Sequence, residues 1–151
     1  MQVTGSAQLA GHVQFFAGDT FCGRAMATKL SRAEFREKLI AKVLKITGGA
    51  RLIVNLEGVM MPRCPQEVGP YDLCMAAGLT VPLLGRLKVQ AASLANNHSR
   101  DFGPAAYHTM VRQLKNAGIM PMQNGDIKDL KHFRLGVFTD VDNCSPGKAA
   151  L

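Results

Sequence analysis

Residues 89–103 read VQAASLANNHSRDFG, a short apolar run that stops at two adjacent asparagines and a histidine. The run has the length and composition of a buried strand, which we place at residues 89–95. Asparagine side chains compete with backbone hydrogen bonds, so a strand has no structural need for two of them at its end. The position of Asn96, Asn97 and His98 therefore points to a chemical role.

Two earlier stretches end in the same manner. HVQFFAGD, residues 12–19, predicts a first strand that stops at Asp19, and RLIVNLEG, residues 51–58, predicts a second with Asn55 and Glu57 at its end. In an open parallel sheet the carboxyl ends of the strands meet at one edge, where ligands bind. The polar residues that follow the three strands are therefore expected to form one site.

Helical patterns separate these strands. Residues 31–49 show apolar residues at helical spacing, with Ser31 and Glu34 placed as a capping box and Gly48 as the stop. The remaining predicted elements are an irregular loop at 60–78, a short helix within 81–88, a helix at 103–118 with Pro104 in its first turn and Gly118 at its end, and a last strand at 133–140. This alternation predicts an α/β fold with a mostly parallel sheet and flanking helices.

The cluster at this edge suits a divalent metal. Carboxylates and an amide carbonyl are hard oxygen ligands of the kind that Mg, Mn and Ca accept, and an imidazole adds affinity for later transition metals. Two metals about 3.5–4 Å apart can clamp the attacking and leaving oxygens of a phosphoryl group. A histidine beside such a site could instead protonate the leaving group.

Each residue alone also fits a structural role. Asp19 suits a turn, Glu57 a solvent-facing strand end, the asparagine pair a turn with left-handed backbone, and His98 a hydrogen-bonded structural position. Their joint occurrence at the ends of three successive strands favours the functional interpretation.

The length and composition indicate a globular protein. The chain has 151 residues, of which 47% are apolar and 19% charged, enough for one domain with a real core. We expect one domain over 1–151, with flexible ends at 1–11 and 141–151. No apolar run approaches the ~20 residues that a bilayer requires. The start of the chain carries no secretory signal, so a cytoplasmic location is the default expectation.

The net charge of +7 favours anionic partners, but the 18 Lys and Arg residues are scattered and no nucleic-acid motif accompanies them. We therefore expect a solvated basic surface and no specific nucleic-acid binding. The four cysteines are also scattered, which predicts reduced thiols rather than a disulfide framework. A zinc site at Cys64 and Cys74 lacks histidine partners at ligand spacing.

The polar motifs resemble those of one family. Four of them occur in the order found in the poly-γ-glutamate capsule biosynthesis (CapA) family, namely Gly18-Asp19, Asn55-Leu56-Glu57-Gly58, Ala95-Asn96-Asn97-His98 and Asp101-Phe102-Gly103. The stretch YHTMVRQLKNAGI, residues 107–119, is similar to the helix that follows the Asn-Asn-His motif in that family. The resemblance extends from about residue 13 to about residue 140.

That family belongs to the calcineurin-like metallophosphatase superfamily, so the resemblance implies an α/β/β/α sandwich with a dinuclear metal site. By the same resemblance Asp19, Glu57 and Asn97 would be metal ligands, and His98 would lie beside the scissile bond. Three further residues would hold these side chains in position without binding the metal, namely Asn55, Asn96 and Asp101. One or two Mn or Mg ions are the implied cofactor. Family members are often anchored to the membrane, although this chain contains no membrane segment of its own.

The chain departs from the family in length. Family members run to roughly twice this length, and their second half carries histidine motifs that complete the metal site. His12, His108 and His132 do not lie in such motifs and are predicted to be surface or packing residues. The resemblance therefore covers the first half of the sandwich. Apolar surface that the second half would otherwise cover would favour self-association, or the binding of a separate chain that supplies the second half.

Two function classes follow. The first is a capsule-synthesis protein with a metallophosphatase-type site that handles poly-γ-glutamate, a related anionic polymer or a phosphoester. The alternative is a truncated, non-catalytic domain that keeps the fold and needs a partner or the second half. Because a dinuclear site needs more ligands than these motifs supply, the isolated chain is expected to be inactive as a phosphoesterase-like hydrolase.

Overall fold

The computed structural model describes residues 3–9 and 12–139. The elements of these residues follow in the order β1 (Val3–Leu9), β2 (His12–Thr20), α1 (Arg24–Ser31), α2 (Ala33–Thr47), β3 (Leu52–Leu56), β4 (Val59–Met61), β5 (Cys74–Ala76), α3 (Ala77–Arg86), β6 (Val89–Ser93), α4 (Gly103–Asn116), β7 (Met120–Met122), β8 (Ile127–Leu130) and β9 (Phe133–Gly136). Of the two expected flexible ends, 141–151 lies outside the described residues. The other, 1–11, contains β1, a strand that the sequence did not predict.

A five-stranded sheet in the order β1-β2-β3-β6-β7 forms the centre of the fold. Strands β2, β3, β6 and β7 run parallel, and β1 pairs with β2 in the antiparallel sense. Three of the parallel strands are those predicted from the sequence, and β7 is additional. The predicted α/β fold with a mostly parallel sheet and flanking helices is confirmed.

The helices cover one face of this sheet. Leu52, Val54 and Leu56 alternate along β3 and pack into one cluster with buried residues from all four helices, among them Ile40 of α2 and Leu84 of α3. Burying such side chains contributes about 1.5–3 kcal/mol each, so this layer is the main source of stability.

The opposite face is covered by the hairpin of β8 and β9. Ile53 of β3 packs there with Met122 of β7 and Leu135 of β9. The Phe16 ring meets the Phe133 ring edge to face, with 6.2 Å between their centroids. The central sheet is therefore covered by helices on one side and by β structure on the other.

The last strand predicted at 133–140 is present as β9, although its predicted end is wrong, because β9 stops at Gly136. Residues Phe133–Gly136 pair antiparallel with β8 instead of extending the parallel sheet, and residue 140 lies outside the described part of the chain. The length of the connection explains the difference. A parallel crossover needs a dozen or more residues, whereas only residues 123–132 separate β7 from β9.

The predicted capping box at Ser31 and Glu34 is also wrong. Ser31 is the last residue of α1, and its hydroxyl donates to the Thr28 carbonyl at 2.8 Å. Helix α2 begins after the extended residue Arg32, because the preceding segment already forms a helix of its own. Gly48 ends α2 as predicted, in the left-handed conformation at φ 59°.

Two further helices lie close to their predicted positions. Helix α4 carries Pro104 in its first turn, and Gly118 follows its end at φ 72°. The Ile119 N–H then donates to the Leu114 carbonyl at 2.9 Å, which satisfies one of the last carbonyls of the helix. The short helix predicted within 81–88 is α3, which begins earlier, at Ala77.

The segment predicted as an irregular loop at 60–78 is more ordered than expected. Its ends form the short parallel pair of β4 and β5, in which Val59 pairs with Cys74. Cys74 forms a disulfide with Cys64, and their Cα atoms are 5.9 Å apart. The prediction of reduced thiols is therefore wrong for this pair, while Cys22 is a free, buried thiol.

Two of the histidines predicted to be surface or packing residues lie on the surface of the structure. His108 of α4 and His132 of the β8–β9 turn are both exposed, and the side chain of His12 lies outside the description. Among the helices of residues 3–9 and 12–139, none combines the length and the apolar character needed to cross a bilayer.

The backbone at Gly58 leaves no room for a side chain. Its φ is +110°, and a Cβ there would lie 2.8 Å from the Leu73 carbonyl oxygen. We expect Gly58→Ala to lower the free energy of unfolding by about 1–3 kcal/mol from backbone strain alone. Denaturation in urea measures the change.

Gly85→Ala is the matched control. Gly85 lies in α3, and a Cβ there meets no atom within 4 Å, so alanine should raise the free energy of unfolding by about 0.5–1 kcal/mol. Equal stability of Gly58→Ala and the wild type would contradict the close approach of the two loop backbones.

Candidate functional site

An irregularity in β2 sets the position of Asp19. Ala17 pairs with Val54 of β3, but Asp19 pairs with Asn55, so Gly18 is an extra residue in the ladder. Without this bulge Asp19 would share the face of Ala17, because side chains two residues apart in a strand point the same way. The bulge turns Asp19 toward the face of Asn55, which is opposite to the helices.

Amide groups join the ends of three strands. Asn55 Nδ2 donates to Asp19 Oδ1 at 2.7 Å, and Asn55 Oδ1 accepts from Asn96 Nδ2 at 3.1 Å. Asn96 Nδ2 also donates to the Leu56 carbonyl at 3.0 Å. The carboxyl ends of β2 and β3 and the turn after β6 are therefore connected by side-chain hydrogen bonds.

The Glu57 carboxyl lies beside Asp19. The Glu57 main-chain N–H donates to the Thr20 carbonyl at 3.2 Å, which extends the contact of β2 with β3 by one residue. Burial raises the pKa of Glu57 above its ordinary value of 4.5, and the charge of Asp19 and a hydrogen bond to it raise this pKa further, whereas His98 opposes the rise. Glu57 therefore keeps its proton to a higher pH than a solvated glutamate does.

His98 is oriented by Asp101. The His98 Nδ1 lies 2.9 Å from Asp101 Oδ2, and the His98 main-chain N–H donates to Asn96 Oδ1 at 3.1 Å. The Asp101 side chain is 1% exposed and the His98 side chain 17%. A carboxylate at Nδ1 favours a proton on that nitrogen, so Nε2 is the ring nitrogen that can exchange a proton with a ligand.

Asp101 makes a second contact that the sequence did not predict. Its Oδ2 also accepts the main-chain N–H of Leu73 at 2.7 Å. Leu73 directly precedes Cys74 of the disulfide, so the segment between β4 and β5 reaches the site. A backbone donor has no signature in a sequence, because nearly every residue type carries one.

Of the three predicted metal ligands, two lie side by side, namely Asp19 and Glu57. Asn97 lies half-buried in the turn between Asn96 and His98, outside the chain of amide hydrogen bonds described above. Within residues 3–9 and 12–139, no group of three His, Cys, Asp or Glu side chains is placed to hold a metal ion. The donors gathered here are therefore two carboxyl groups with neighbouring amides.

The raised pKa of Glu57 affects stability. A carboxyl with a higher pKa in the folded state contributes fully below its unfolded pKa, and the contribution is lost as the pH rises through the folded value. Because Glu57→Gln cannot ionise, we expect its melting temperature to exceed that of the metal-free wild type increasingly as the pH rises above 4.5. Differential scanning calorimetry at several pH values measures the difference.

Glu67→Gln serves as the control, because Glu67 is exposed on the segment between β4 and β5. Its stability should stay within about 0.5 kcal/mol of the wild type across the same pH range. Parallel pH profiles for the wild type and Glu57→Gln would contradict the contact between the two carboxyl groups.

The model of the bacterial capsule synthesis protein PGA_cap family matches residues 13–132. The matched region contains Asp19, Glu57, His98 and Asp101 and agrees with the resemblance seen in the motifs. No curated protein matches the chain. Since the matched region covers most of the 151 residues, the chain belongs to the family of bacterial capsule synthesis proteins.

Proposed function

We propose that this capsule synthesis protein is a metal-dependent, phosphoesterase-like hydrolase. Its substrate would be a phosphoester or a related anionic compound of capsule formation, with poly-γ-glutamate as the polymer concerned. The observation that best supports this function is the position of the Asp19–Glu57 carboxyl pair next to the His98–Asp101 pair. One pair is suited to hold a cation and the other to transfer a proton.

Asp19 and Glu57 would hold the cation. Asn55 Nδ2 donates to Oδ1 of Asp19 at 2.7 Å, and a cation at this carboxylate would take the place of its hydrogen bond with Glu57. Burial, and then the charge of Asp19, raises the pKa of Glu57, and a divalent ion at the pair would displace the retained proton. We assign the amide oxygen of Asn97 as the third donor. Oxygen donors of this kind suit Mg²⁺ or Mn²⁺.

The substrate class follows from charge. A divalent ion bound at the carboxyl pair would polarise a phosphoryl oxygen and offset the charge that develops on it. The chain itself carries a net charge of +7, which favours the approach of an anionic substrate. Asn55 and Asn96 hold the carboxylate end of the site in place before any ligand arrives.

His98 would give the leaving group its proton. Asp101 faces Nδ1 at 2.9 Å, so the ring is already oriented and Nε2 can act as the donor. Positioned groups of this kind contribute about 10²–10⁴-fold to a rate.

A second candidate function is a binding domain without catalysis. Its support is that the described residues hold no group of three His, Cys, Asp or Glu side chains arranged for a metal. Two carboxyl groups and an amide would then bind one cation weakly, and His98 would have no chemical role.

The first experiment concerns the metal. We expect calorimetric titration with Mn²⁺ to detect weak binding, because the assigned donors leave several coordination positions to water. Asp19→Ala should abolish the binding, since it removes one of two carboxyl ligands. Asp129→Ala is the control, because Asp129 lies on β8 in an exposed pair with Arg134. Tight binding of two ions, or unchanged binding by Asp19→Ala, would show that the assignment is incorrect.

The second experiment separates the two candidate functions. In a preparation that hydrolyses a generic phosphodiester, His98→Ala should lower turnover by about 10²–10⁴-fold and leave Mn²⁺ affinity nearly unchanged. His108→Ala, at an exposed position of α4, should retain full turnover. If no preparation of the Mn²⁺-loaded wild type hydrolyses the phosphodiester, or if His98→Ala turns over as fast as the wild type, the binding domain is the better description.

A further inference from the structure

Several contacts hold residues 62–73 between β4 and β5. We call this segment the disulfide loop. Cys64 within the loop is bonded to Cys74, the first residue of β5. From the start of α1 the Arg24 guanidinium donates to two carbonyl groups near the end of the loop, one of them that of Asp72 at 3.2 Å. The loop is therefore held by a covalent bond and by side-chain hydrogen bonds.

The last residue of the disulfide loop contacts the candidate site. The Leu73 N–H donates to Asp101 Oδ2 at 2.7 Å, and the same oxygen lies 2.9 Å from His98 Nδ1. The Leu73 carbonyl accepts the Val59 N–H at 2.8 Å, which fixes the other side of this residue. Asp101 is 1% exposed, so water cannot easily replace a donor that it loses.

We infer that the Cys64–Cys74 disulfide positions His98 through Leu73 and Asp101. The closed bond, together with the pairing of Val59 with Cys74, holds the adjacent Leu73 N–H against Asp101. Opening the bond frees the loop, weakens this contact and releases Asp101 from the orientation in which it faces the imidazole. Cys64 and Cys74 are thus positioning residues that act through Asp101. The inference depends on the proposed role of His98 as proton donor.

Cys22 does not compete for this bond. It is 2% exposed, and burial raises its pKa to about 11, so it remains a thiol at neutral pH and attacks disulfides slowly. An external dithiol opens the bond in two steps. One of its thiolates attacks a cysteine sulfur and breaks the S–S bond, and its second thiol then closes on the first, which leaves two cysteine thiols and an oxidised dithiol.

The test uses the phosphodiester-hydrolysing preparation described for His98→Ala, with Mn²⁺, before and after reduction with dithiothreitol. Alkylation and mass spectrometry confirm which cysteines are reduced. We expect kcat to fall by up to about 10²-fold, the usual effect of a small displacement of a reacting group. Mn²⁺ affinity should fall less than kcat, because two of the three assigned donors, Asp19 and Glu57, lie on β2 and directly after β3. The Leu73 amide should lose its protection against hydrogen exchange in the same sample.

Three variants control this experiment. The Cys64→Ser/Cys74→Ser variant should show the low kcat with or without dithiothreitol, and Cys22→Ala should respond to dithiothreitol as the wild type does. Arg24→Gln keeps the disulfide but removes the Arg24 hydrogen bonds to the loop, and it should also lower kcat. It tests the same route to Asp101 even if the double variant does not fold.

Full kcat in protein whose Cys64 and Cys74 are both alkylated would overturn the inference. A Leu73 amide that stays protected after reduction would overturn it as well. A chain that hydrolyses nothing in either state, but loses the protection of Leu73 on reduction, would overturn the proposed function and support the link from the disulfide to Asp101.

Discussion

The pairing of Asp19 with Asn55 across β2 and β3 is the constraint on which the rest of the site depends. A regular parallel ladder would turn Asp19 toward the helices, where an ionised carboxylate is costly to bury. The extra residue Gly18 turns it to the other face, where Asn55 can donate to it. Asn55 then connects Asp19 to Asn96, and the charge of Asp19 adds to the burial that raises the pKa of Glu57.

The two halves of the site differ in how they are held. The carboxyl pair is placed by main-chain pairing of neighbouring strands, which is the most rigid support that a sheet offers. His98 and Asp101 lie in the turn before α4, and Asp101 also depends on a backbone donor from the disulfide loop. The Asp19–Glu57 pair places two carboxyl groups side by side, which lowers the stability of the fold. Proteins accept such a loss of stability at sites that bind ligands. In the proposed function, proton transfer falls to His98 and Asp101, whose positions depend on the turn before α4 and on the Leu73 N–H.

Much of the fold could be predicted because strands β2, β3 and β6 are apolar runs with polar residues at their ends. Strand β7 has three residues, one of them a proline, so it lacks a recognisable pattern. Ser31 fits a capping box by spacing, but the preceding helix includes it. Cys64 and Cys74 are linked in a segment whose ends pair as β4 and β5, a tertiary contact that spacing does not reveal. Leu73 contributes only its main chain, which no motif could identify.

The bond between Cys64 and Cys74 also connects the fold to the conditions under which the chain matures. Disulfides form and persist in oxidising compartments, whereas cytosolic reductants keep cysteine thiols reduced. The same sequence produced under reducing and under oxidising conditions would give two populations whose chemical compositions differ by the hydrogens of the Cys64 and Cys74 thiols. Those populations would differ structurally in the segment next to the site. A sample of this protein is therefore defined by its oxidation state as well as by its sequence.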